Sequence, residues 1–350
     1  MSRHDSATES EAPATADDDE RLPVDLRNRI VLHGETSPYH RRLQQELDVN
    51  YADLRTWTDI REMFDYLDDE ALRALEPEEL TPEQYEPAEL VPSQSSGTTG
   101  PVKELYWHEE DLRDNVANMI RWLERIDVPK DAHWVVTSTP NRVLERSLRG
   151  IADYFDGMID VIEVDPAPVK RALQSGEREQ IVETLDPIAS EIEAAFDYED
   201  TRVYSDIAPL MRFVADRLPT RLREQCELLL IGGVGTDRET VRQLTETAFP
   251  NALLSGWYGD YMTGSSMMHE PGSLEYLPHT PDVRLEVRKP DSVDEIVAPG
   301  ESGEVVAHVI RRGFFVPNRR IGDQATHITV DGRDGITNIG RLPERPTKRW

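Results

Sequence analysis

A stretch rich in glycine and hydroxyl side chains offers the clearest chemistry in this sequence, and it reads Ser93-Gln94-Ser95-Ser96-Gly97-Thr98-Thr99-Gly100-Pro101-Val102-Lys103. Glycines let a backbone adopt positive φ and approach a ligand closely, while hydroxyls and a lysine ammonium donate hydrogen bonds to phosphate oxygens. The stretch therefore predicts a loop that binds phosphate.

This loop differs from the common P-loop, which has four residues between its glycines and a Lys-Ser/Thr pair directly after the second. Here only Thr98 and Thr99 separate the two glycines, and the following residues, 102–107, are predicted to form a strand. A Ser/Gly/Thr cluster by itself is also typical of a plain surface loop. Further ligand-binding signals along the chain distinguish the two interpretations.

The composition bounds the possible partners. With 350 residues the chain could hold two domains, or one large domain with a small satellite. Its 39 basic and 68 acidic residues give a net charge of −29, which argues against nucleic acid and against an anionic membrane as partners. The chain is also rich in arginine and poor in lysine. Such a composition is expected of a halophilic protein kept soluble in concentrated salt, and an ordinary acidic cytosolic protein is the alternative.

Cysteine content and hydropathy predict a cytoplasmic location. Cys226 is the only cysteine of the sequence, so no intrachain disulfide can form, as suits a reducing compartment. No apolar run reaches membrane-spanning length, and the N-terminal residues contain no apolar signal core.

Composition and periodicity divide the chain into five predicted parts. They are a disordered acidic tail (1–20), a helical lead-in region (21–92), an α/β core (93–271), a β-rich subdomain (272–341) and a short remnant (342–350). Strand-like and helix-like segments alternate through the core. This alternation predicts a three-layer α/β architecture with parallel strands, whose ligands bind at the carboxyl ends of the strands.

Three more signals follow predicted strands or turns. Gly232-Gly233-Val234 comes after the apolar segment 228–231 and before a predicted helix, which alone is a weak nucleotide-binding pattern. The segment 257–262, Trp-Tyr-Gly-Asp-Tyr-Met, ends the next predicted strand. Further on, the chain reads Arg320-Ile321-Gly322-Asp323 and so ends this segment in a carboxylate, which can accept two hydrogen bonds. For each aromatic residue taken alone, core packing is the more common explanation.

Taken in order, these segments resemble the motifs of the AMP-forming adenylating enzymes, the superfamily of acyl-CoA synthetases, luciferases and peptide-synthetase adenylation domains. The family's loop reads Ser-Ser-Gly-Thr-Thr-Gly, then a variable residue, Pro and Lys, and here Pro101 comes one position early. The resemblance implies that catalysis uses Thr98, Thr99 and Lys103. It also implies that the phosphates are bound by the loop residues Ser95, Ser96, Gly97 and Gly100.

The resemblance further implies contacts with adenine. Gly232, Gly233 and Val234 correspond to a glycine-rich turn that lies against the purine. Tyr258 and Gly259 begin a segment that resembles the family's Tyr-Gly-x-Thr/Ser-Glu motif, in which the tyrosine stacks on adenine.

On the phosphate and ribose side, Tyr261 stands where the family's Thr or Ser meets the α-phosphate. Asp323 stands where the family's aspartate binds the ribose hydroxyls. Arg341 belongs to a pair, Gly340-Arg341, that resembles the Gly-Arg before the family's hinge. Met262 departs from the family, which has here a glutamate that helps to hold Mg²⁺, because a thioether is a poor ligand for a hard cation. Asp260 is the substitute metal ligand that the sequence offers. The implied cofactors are ATP and Mg²⁺, with CoA for thioester formation.

Two branches of the superfamily fit the length. Phenylacetate–CoA ligases share a helical lead-in, which residues 37–42 and 54–64 resemble, and the acyl-protein synthetases of bacterial luminescence end near a Gly-Arg-x-Pro segment like that at 340–343. Most members continue into a C-terminal lid domain, so residues 342–350 resemble a hinge remnant, and a lid-supplying protein is expected. The luminescence enzymes use a C-terminal cysteine, whereas Cys226 is predicted to be a buried structural thiol.

The implied activity is ATP-dependent activation of a carboxylic acid to acyl-AMP with release of pyrophosphate, followed by acyl transfer to CoA or a protein thiol. The implied partners are the carboxylic acid, an acyl acceptor and the lid-supplying protein. Met262 and the absent lid favour an alternative, a nucleotide- or acyl-adenylate-binding protein without turnover. No motif fixes the acyl pocket, so the sequence does not identify the acid.

Overall fold

The computed structural model describes residues 20–95, 102–197, 200–233, 235–290, 292 and 295–342. The predicted acidic tail up to residue 19 and the segment 343–350 lie outside these ranges. The same holds for six of the predicted site residues, which are Ser96, Gly97, Thr98, Thr99, Gly100 and Val234.

Helices precede the strands, flank them and connect them. They are α1 (Val24–Thr36), α2 (Pro38–Leu47), α3 (Trp57–Met63), α4 (Asp69–Arg73), α5 (Pro77–Leu80), α6 (Glu109–Leu123), α7 (Arg142–Tyr154), α8 (Pro166–Ser175), α9 (Arg178–Phe196), α10 (Ala208–Ala215), α11 (Thr220–Gln225) and α12 (Arg238–Gln243). Across the described ranges, no helix is long and apolar enough to cross a membrane.

The strands are β1 (Leu90–Gln94), β2 (Glu104–His108), β3 (His133–Ser138), β4 (Met158–Glu163), β5 (Thr201–Asp206), β6 (Leu228–Ile231), β7 (Leu253–Asp260), β8 (Gly264–His269), β9 (Tyr276–Pro278), β10 (Val283–Arg288), β11 (Ser302–Ile310), β12 (Phe315–Val330) and β13 (Arg333–Arg341). Eleven of them form one sheet in the order β10-β11-β12-β13-β9-β8-β7-β6-β5-β3-β4, while β1 and β2 pair separately. Five neighbouring strands of this sheet run parallel to one another, in the order β7-β6-β5-β3-β4. Helices α7 to α12 supply the crossovers that parallel pairing requires.

Side-chain alternation on β3 explains why the core has three layers. Trp134 and Val136 pack against α6 and α7 on one face, whereas Val135 packs against α9 and α10 on the other. Parallel strands covered on both faces can be apolar throughout, as in the fully buried segment Leu228–Ile231. The predicted three-layer α/β core is confirmed.

The hydrophobic pattern of residues 169–196 predicts one long helical stretch, and the structure interrupts it. Helix α8 ends before Gly176, which takes the left-handed conformation (φ 67°) that glycine adopts readily after a helix. Helix α9 then begins at Arg178. A single glycine is often tolerated within a helix, so the hydrophobic pattern alone does not locate the break.

The antiparallel strands that follow residue 272 continue the core sheet through hydrogen bonds. β13 joins β9 at one residue pair, Ile336 with Tyr276, and β9 in turn pairs with β8. The predicted β-rich C-terminal region is thereby confirmed as a feature of the fold. It brings β12 and β13 to the same side of the molecule as the turn that follows β7, as the contacts of the site below show.

Two buried histidines fix the helical lead-in region to the sheet. Nε2 of His33 donates to the carbonyl of Arg311 and Nε2 of His40 donates to the carbonyl of Phe315, both at 2.8 Å. Burial lowers the pKa of His33 to about 4 and that of His40 well below its ordinary value. Both rings are therefore neutral near pH 7, and Nδ1 of each accepts from a hydroxyl, at 2.8 and 3.0 Å.

Acidification is expected to destabilise the protein through these rings. The unfolded chain binds a proton at a histidine near pH 6.5, whereas the folded chain binds one at His33 only near pH 4, so stability falls as the pH drops through this window. For His33 alone, linkage gives a loss of about 2 kcal/mol in the free energy of unfolding at about pH 5. Urea unfolding at a series of pH values should show a smaller slope in His33→Gln than in the wild type, and an equal slope would contradict this assignment.

Candidate functional site

The turn between β7 and β8 lies at the centre of the site. The carbonyl oxygen of Tyr261 accepts hydrogen bonds from Ser93 Oγ at 2.7 Å and from Trp107 Nε1 at 3.0 Å. Ser93 belongs to β1 and Trp107 to β2. The turn is thus fastened to the two strands that flank the predicted phosphate loop.

Arg311 holds the same turn from the other side. Its guanidinium donates to the carbonyls of Met262 (3.2 Å) and Thr263 (2.8 Å) and to Oδ2 of Asp282 (2.8 Å). It also stacks on the ring of Trp107, 3.7 Å from the ring centre. Arg311 is fully buried, so its charge is compensated by a carboxylate, by carbonyl dipoles and by an aromatic face.

Met262, at the position of the family's glutamate, is part of the hydrophobic core. It is 2% exposed and packs with Leu112, Val143 and Val309. A carboxylate among these apolar neighbours would lose its hydration without gaining partners. The packing therefore suits a methionine and offers no ligand for a cation at this position.

Asp260 is held in an ion pair. Its Oδ2 lies 2.6 Å from Nη1 of Arg319, and its Oδ1 accepts from the backbone N–H groups of Met262 and Thr263, each at 3.0 Å. The hydroxyl of Thr263 donates to Oδ1 as well, at 3.1 Å. Burial opposes ionisation of Asp260, but Arg319 and the backbone donors outweigh it and hold the pKa below its ordinary value.

The predicted phosphate loop is closed at its two ends by hydrogen bonds. The backbone N–H of Lys103 donates to Ser95 Oγ, and the backbone N–H of Ser95 donates to the carbonyl of Lys103, both at 2.8 Å. The ammonium of Lys103 lies 5.8 Å from the ring centre of Tyr261, and the guanidinium of Arg319 lies 5.5 Å from it. Tyr261 therefore connects the base of the loop to the ion pair of Asp260.

Tyr258, Asp323 and Arg341 form a second group. The hydroxyl of Tyr258 donates to Oδ2 of Asp323 at 2.8 Å, and Nη1 of Arg341 lies 3.0 Å from Oδ1. Burial raises the pKa of Asp323, an effect that Arg341 and the Tyr258 hydroxyl oppose. The side chain of Arg341 is largely exposed, so this group borders on solvent.

Two of the predicted glycines are required by close packing. A Cβ on Gly232 would lie 2.2 Å from Nε1 of Trp257, and a Cβ on Gly259 would lie 1.6 Å from the carbonyl oxygen of Gly264. Gly233 has a positive φ of 75°. The backbone after β6 thus lies directly against the indole of Trp257, at the carboxyl end of the parallel strands.

Three buried charged residues at or near the site were missed by the sequence reasoning, namely Arg311, Arg319 and Asp206. Asp206 ends β5 and accepts from Thr137 Oγ1 (2.5 Å), Tyr204 Oη (2.7 Å) and the backbone N–H of Ile207 (2.7 Å). Burial raises its pKa to about 7. The available signal for Asp206 was a carboxylate at the end of an apolar strand. Arg319 lies on β12 and Arg311 directly follows β11, and periodicity cannot distinguish these positions from exposed ones.

A protein-held Mg²⁺ does not fit the described residues. Among them, no three or more His, Cys, Asp or Glu side chains are grouped as metal ligands would be. Asp260, the predicted ligand, is already ion-paired with Arg319 and accepts hydrogen bonds from three other donors. Mg²⁺ is usually bound by one or two carboxylates together with waters and substrate phosphates, and the predicted carboxylate, Asp260, is committed to the guanidinium of Arg319.

The chain is similar to solved protein structures. No protein-family model and no curated protein matches the chain. A solved structure of 2-hydroxyisobutyryl-CoA ligase in an open conformation, in complex with 2-HIB-AMP and CoA, is similar with a TM-score of 0.67 and 13% identity, over 97% of this chain and 79% of that chain. The same ligase in the thioesterification state, with the same two ligands, is similar with a TM-score of 0.66 and 15% identity, over 95% of this chain and 72% of that chain.

A third structure, of this ligase in the postadenylation state with 2-HIB-AMP, gives a TM-score of 0.66 and 14% identity over 95% of this chain and 71% of that chain. At these identities the likeness shows the fold alone, which this chain shares with that ligase. The α/β fold predicted from the alternation of strands and helices is thereby confirmed.

Removing the guanidinium of Arg311 should destabilise the protein strongly. Arg311→Met leaves Asp282 as a buried carboxylate without its cation, and breaking a buried pair in this way costs about 3–5 kcal/mol in the free energy of unfolding. Arg146→Met is the matched control, because Arg146 pairs with Glu109 at a half-exposed surface position and such pairs contribute about 0–1 kcal/mol. Urea denaturation of both variants measures the difference, and similar losses would contradict the role given to Arg311.

Proposed function

We propose that this chain is an adenylate-forming acid ligase of the acyl-CoA synthetase type. The observation that supports the proposal most is the hydrogen bond between Tyr258 and Asp323, two residues 65 positions apart that belong to separate predicted motifs. Their contact occurs in a fold shared with a ligase that was solved with an acyl-AMP. A tyrosine ring and a neighbouring carboxylate offer one nucleoside a stacking surface and an acceptor for its ribose diol.

In the proposed first step, a carboxylate oxygen of the substrate attacks the α-phosphorus of ATP. A new P–O bond forms, the bond from the α-phosphorus to the bridging oxygen breaks, and pyrophosphate leaves. The chain contributes positioning and charge stabilisation. Asp323 and Tyr258 hold the nucleoside, the turn at Gly232 and Gly233 lies against the base, and Lys103 is the cation beside the phosphates.

Further members of the phosphate-binding set are proposed from the sequence. They are Thr98 and Thr99 as hydroxyl donors to the reacting phosphate, with Ser95, Ser96, Gly97 and Gly100 around the remaining oxygens. The closure of the loop between Ser95 and Lys103 supports this assignment, because it fixes the distance between the two ends of the cradle. Val234, Gly259, Tyr261 and Arg341 complete the proposed nucleotide contacts.

In the proposed second step a thiolate attacks the acyl carbonyl carbon and AMP leaves. Cys226 is unsuited to this role, because it is fully buried and burial raises its pKa to about 12. It is also the only cysteine in the sequence. We therefore propose an external acceptor, CoA or a thiol on another protein.

A phenylacetate–CoA ligase-like branch and a halophilic, cytoplasmic setting are also proposed. The segment 37–42, which resembles the lead-in of phenylacetate–CoA ligases, is anchored to the sheet through His40. This supports a phenylacetate–CoA ligase-like branch. The acidic, lysine-poor composition supports a halophilic, cytoplasmic protein. The domain limits 21–92, 93–271 and 272–341 are proposed as the sequence predicts them.

A second candidate function is nucleotide or acyl-adenylate binding without turnover. Two observations favour it, the burial of Met262 in an apolar cluster and the engagement of Asp260 by Arg319. Both leave the site without the protein carboxylate that the family directs at a metal. ATP–pyrophosphate exchange separates the two functions, because only an enzyme that forms acyl-AMP reversibly incorporates labelled pyrophosphate into ATP.

The exchange assay is expected to show label in ATP with at least one acid from a panel of aryl, branched hydroxy, fatty and amino acids. Asp323→Ala should lower nucleotide affinity on the order of 10- to 100-fold, because hydrogen bonds to a charged group contribute about 1.5–3 kcal/mol. Asp334→Ala, an exposed aspartate on the adjacent strand β13, is the matched control and should change little. Nucleotide binding without exchange for any acid would favour the binding protein, and no nucleotide binding would reject both functions.

A further inference from the structure

Arg319 lies between the two groups that form the candidate site. Its side chain is 3% exposed, and its guanidinium is 2.6 Å from Asp260 and 5.5 Å from the ring centre of Tyr261. On the other side, its charge is felt by Asp323, whose ionised form it favours. Arg319 immediately precedes the segment Arg320-Ile321-Gly322-Asp323 and belongs to none of the sequence motifs named above.

The path of a bound nucleotide leads past this residue. A nucleotide with its ribose at Asp323 and its outer phosphates near Lys103 carries the α-phosphate close to Tyr261, because only one methylene group separates the α-phosphate ester oxygen from the ribose ring. The guanidinium of Arg319 lies beside the ring of Tyr261. An arginine keeps its charge at every physiological pH and is weakly hydrated, so it can serve as a permanent cation in a buried place.

Asp260 determines how much of that charge reaches the nucleotide. In the structure its carboxylate neutralises Arg319 and anchors it to the turn through Met262 and Thr263. The same carboxylate was the predicted metal ligand. It cannot fill both roles at once, since Oδ2 faces the guanidinium at 2.6 Å and Oδ1 accepts from three donors.

We propose that Arg319 supplies the fixed positive charge for the α-phosphate in place of a protein-held metal ion, and that Asp260 is the counter-ion that positions Arg319. Arg319 is then a binding residue, and Asp260 a positioning residue. This inference rests on the proposed nucleotide-binding function. The protein then binds nucleotide without giving a carboxylate ligand to Mg²⁺.

The two roles of Asp260 predict opposite effects of the same substitution. If Asp260 is the counter-ion, Asp260→Asn unmasks the charge of Arg319 and strengthens the binding of AMP and ATP, with or without Mg²⁺. If Asp260 is a metal ligand, Asp260→Asn weakens ATP binding, and only when Mg²⁺ is present. Glu304→Gln is the control, because Glu304 likewise pairs at 2.6 Å with an arginine, Arg320, the next residue along β12, although its side chain is 3% exposed against 26% for Asp260.

The experiment is isothermal titration of the full chain with AMP and with ATP, each in excess EDTA and in excess MgCl₂. Asp260→Asn is expected to bind both nucleotides about fivefold more tightly than the wild type in either buffer, as one charge at partly screened distance would give. Arg319→Gln should weaken binding about tenfold or more, since it also leaves Asp260 facing the phosphate, and Arg320→Gln is its control. The double variant Asp260→Asn/Arg319→Gln should fall between the two single variants.

Each outcome decides the matter. Tighter binding by Asp260→Asn, with Glu304→Gln unchanged, supports the inference even if Arg319→Gln does not fold. Weaker ATP binding by Asp260→Asn in MgCl₂ alone identifies a metal ligand and overturns it. Equal affinities of Asp260→Asn and Glu304→Gln show that the charge of Arg319 does not reach the phosphate and overturn it as well. If the wild type binds neither nucleotide, the proposed function itself fails.

Discussion

The buried guanidinium of Arg311 is the interaction on which the rest of the site depends. Isolating a cation from water costs several kcal/mol, and here Asp282, two carbonyls and the face of Trp107 compensate for that cost together. The carbonyl oxygen of Arg311 also receives the hydrogen bond of His33. One residue thus joins the helical lead-in region, the sheet and the turn after β7. Because the turn is fixed, the directions of Asp260 and Tyr261 are fixed with it.

Much of the fold could be predicted because apolar patterning is a local signal. The four buried residues of β6 and the alternating partners of β3 follow from hydrophobic periodicity, and the crossover rule then gives parallel strands. The motifs named Tyr258 and Asp323 separately, but sequence could not show that they hydrogen-bond to each other. The helix break at Gly176 was missed, because a glycine does not by itself end a helix.

The charged residues of the site were the hardest to foresee. Arg311 and Arg319 lie on or next to strands, where a long polar side chain normally points to solvent. Their burial depends on partners far away in the sequence, Asp282 for Arg311 and Asp260 for Arg319. No local pattern reports such a pairing. A metal-binding role for Asp260 follows from its position two residues before Met262. Sequence could not show that the same carboxylate pairs with Arg319.

The site brings three cations together within a strongly acidic chain, and two of them are paired with Asp260 and Asp323. Lys103, Arg319 and Arg341 all approach the proposed nucleotide path, whereas the whole chain carries a net charge of −29. At low ionic strength the overall charge repels an anionic ligand, and added salt screens that repulsion over a distance of about 10 Å or less. Contacts at short range survive the screening. The balance favours nucleotide binding in a salty medium.

A crystal structure of the protein with bound AMP tests the central claim most directly. The account predicts both ribose hydroxyls at hydrogen-bonding distance from Asp323, about 2.6–3.0 Å, with the adenine beside Tyr258 and the phosphate between Lys103 and Tyr261. It would be contradicted by AMP bound at another place. It would be contradicted equally by AMP in this cleft with its ribose turned away from Asp323.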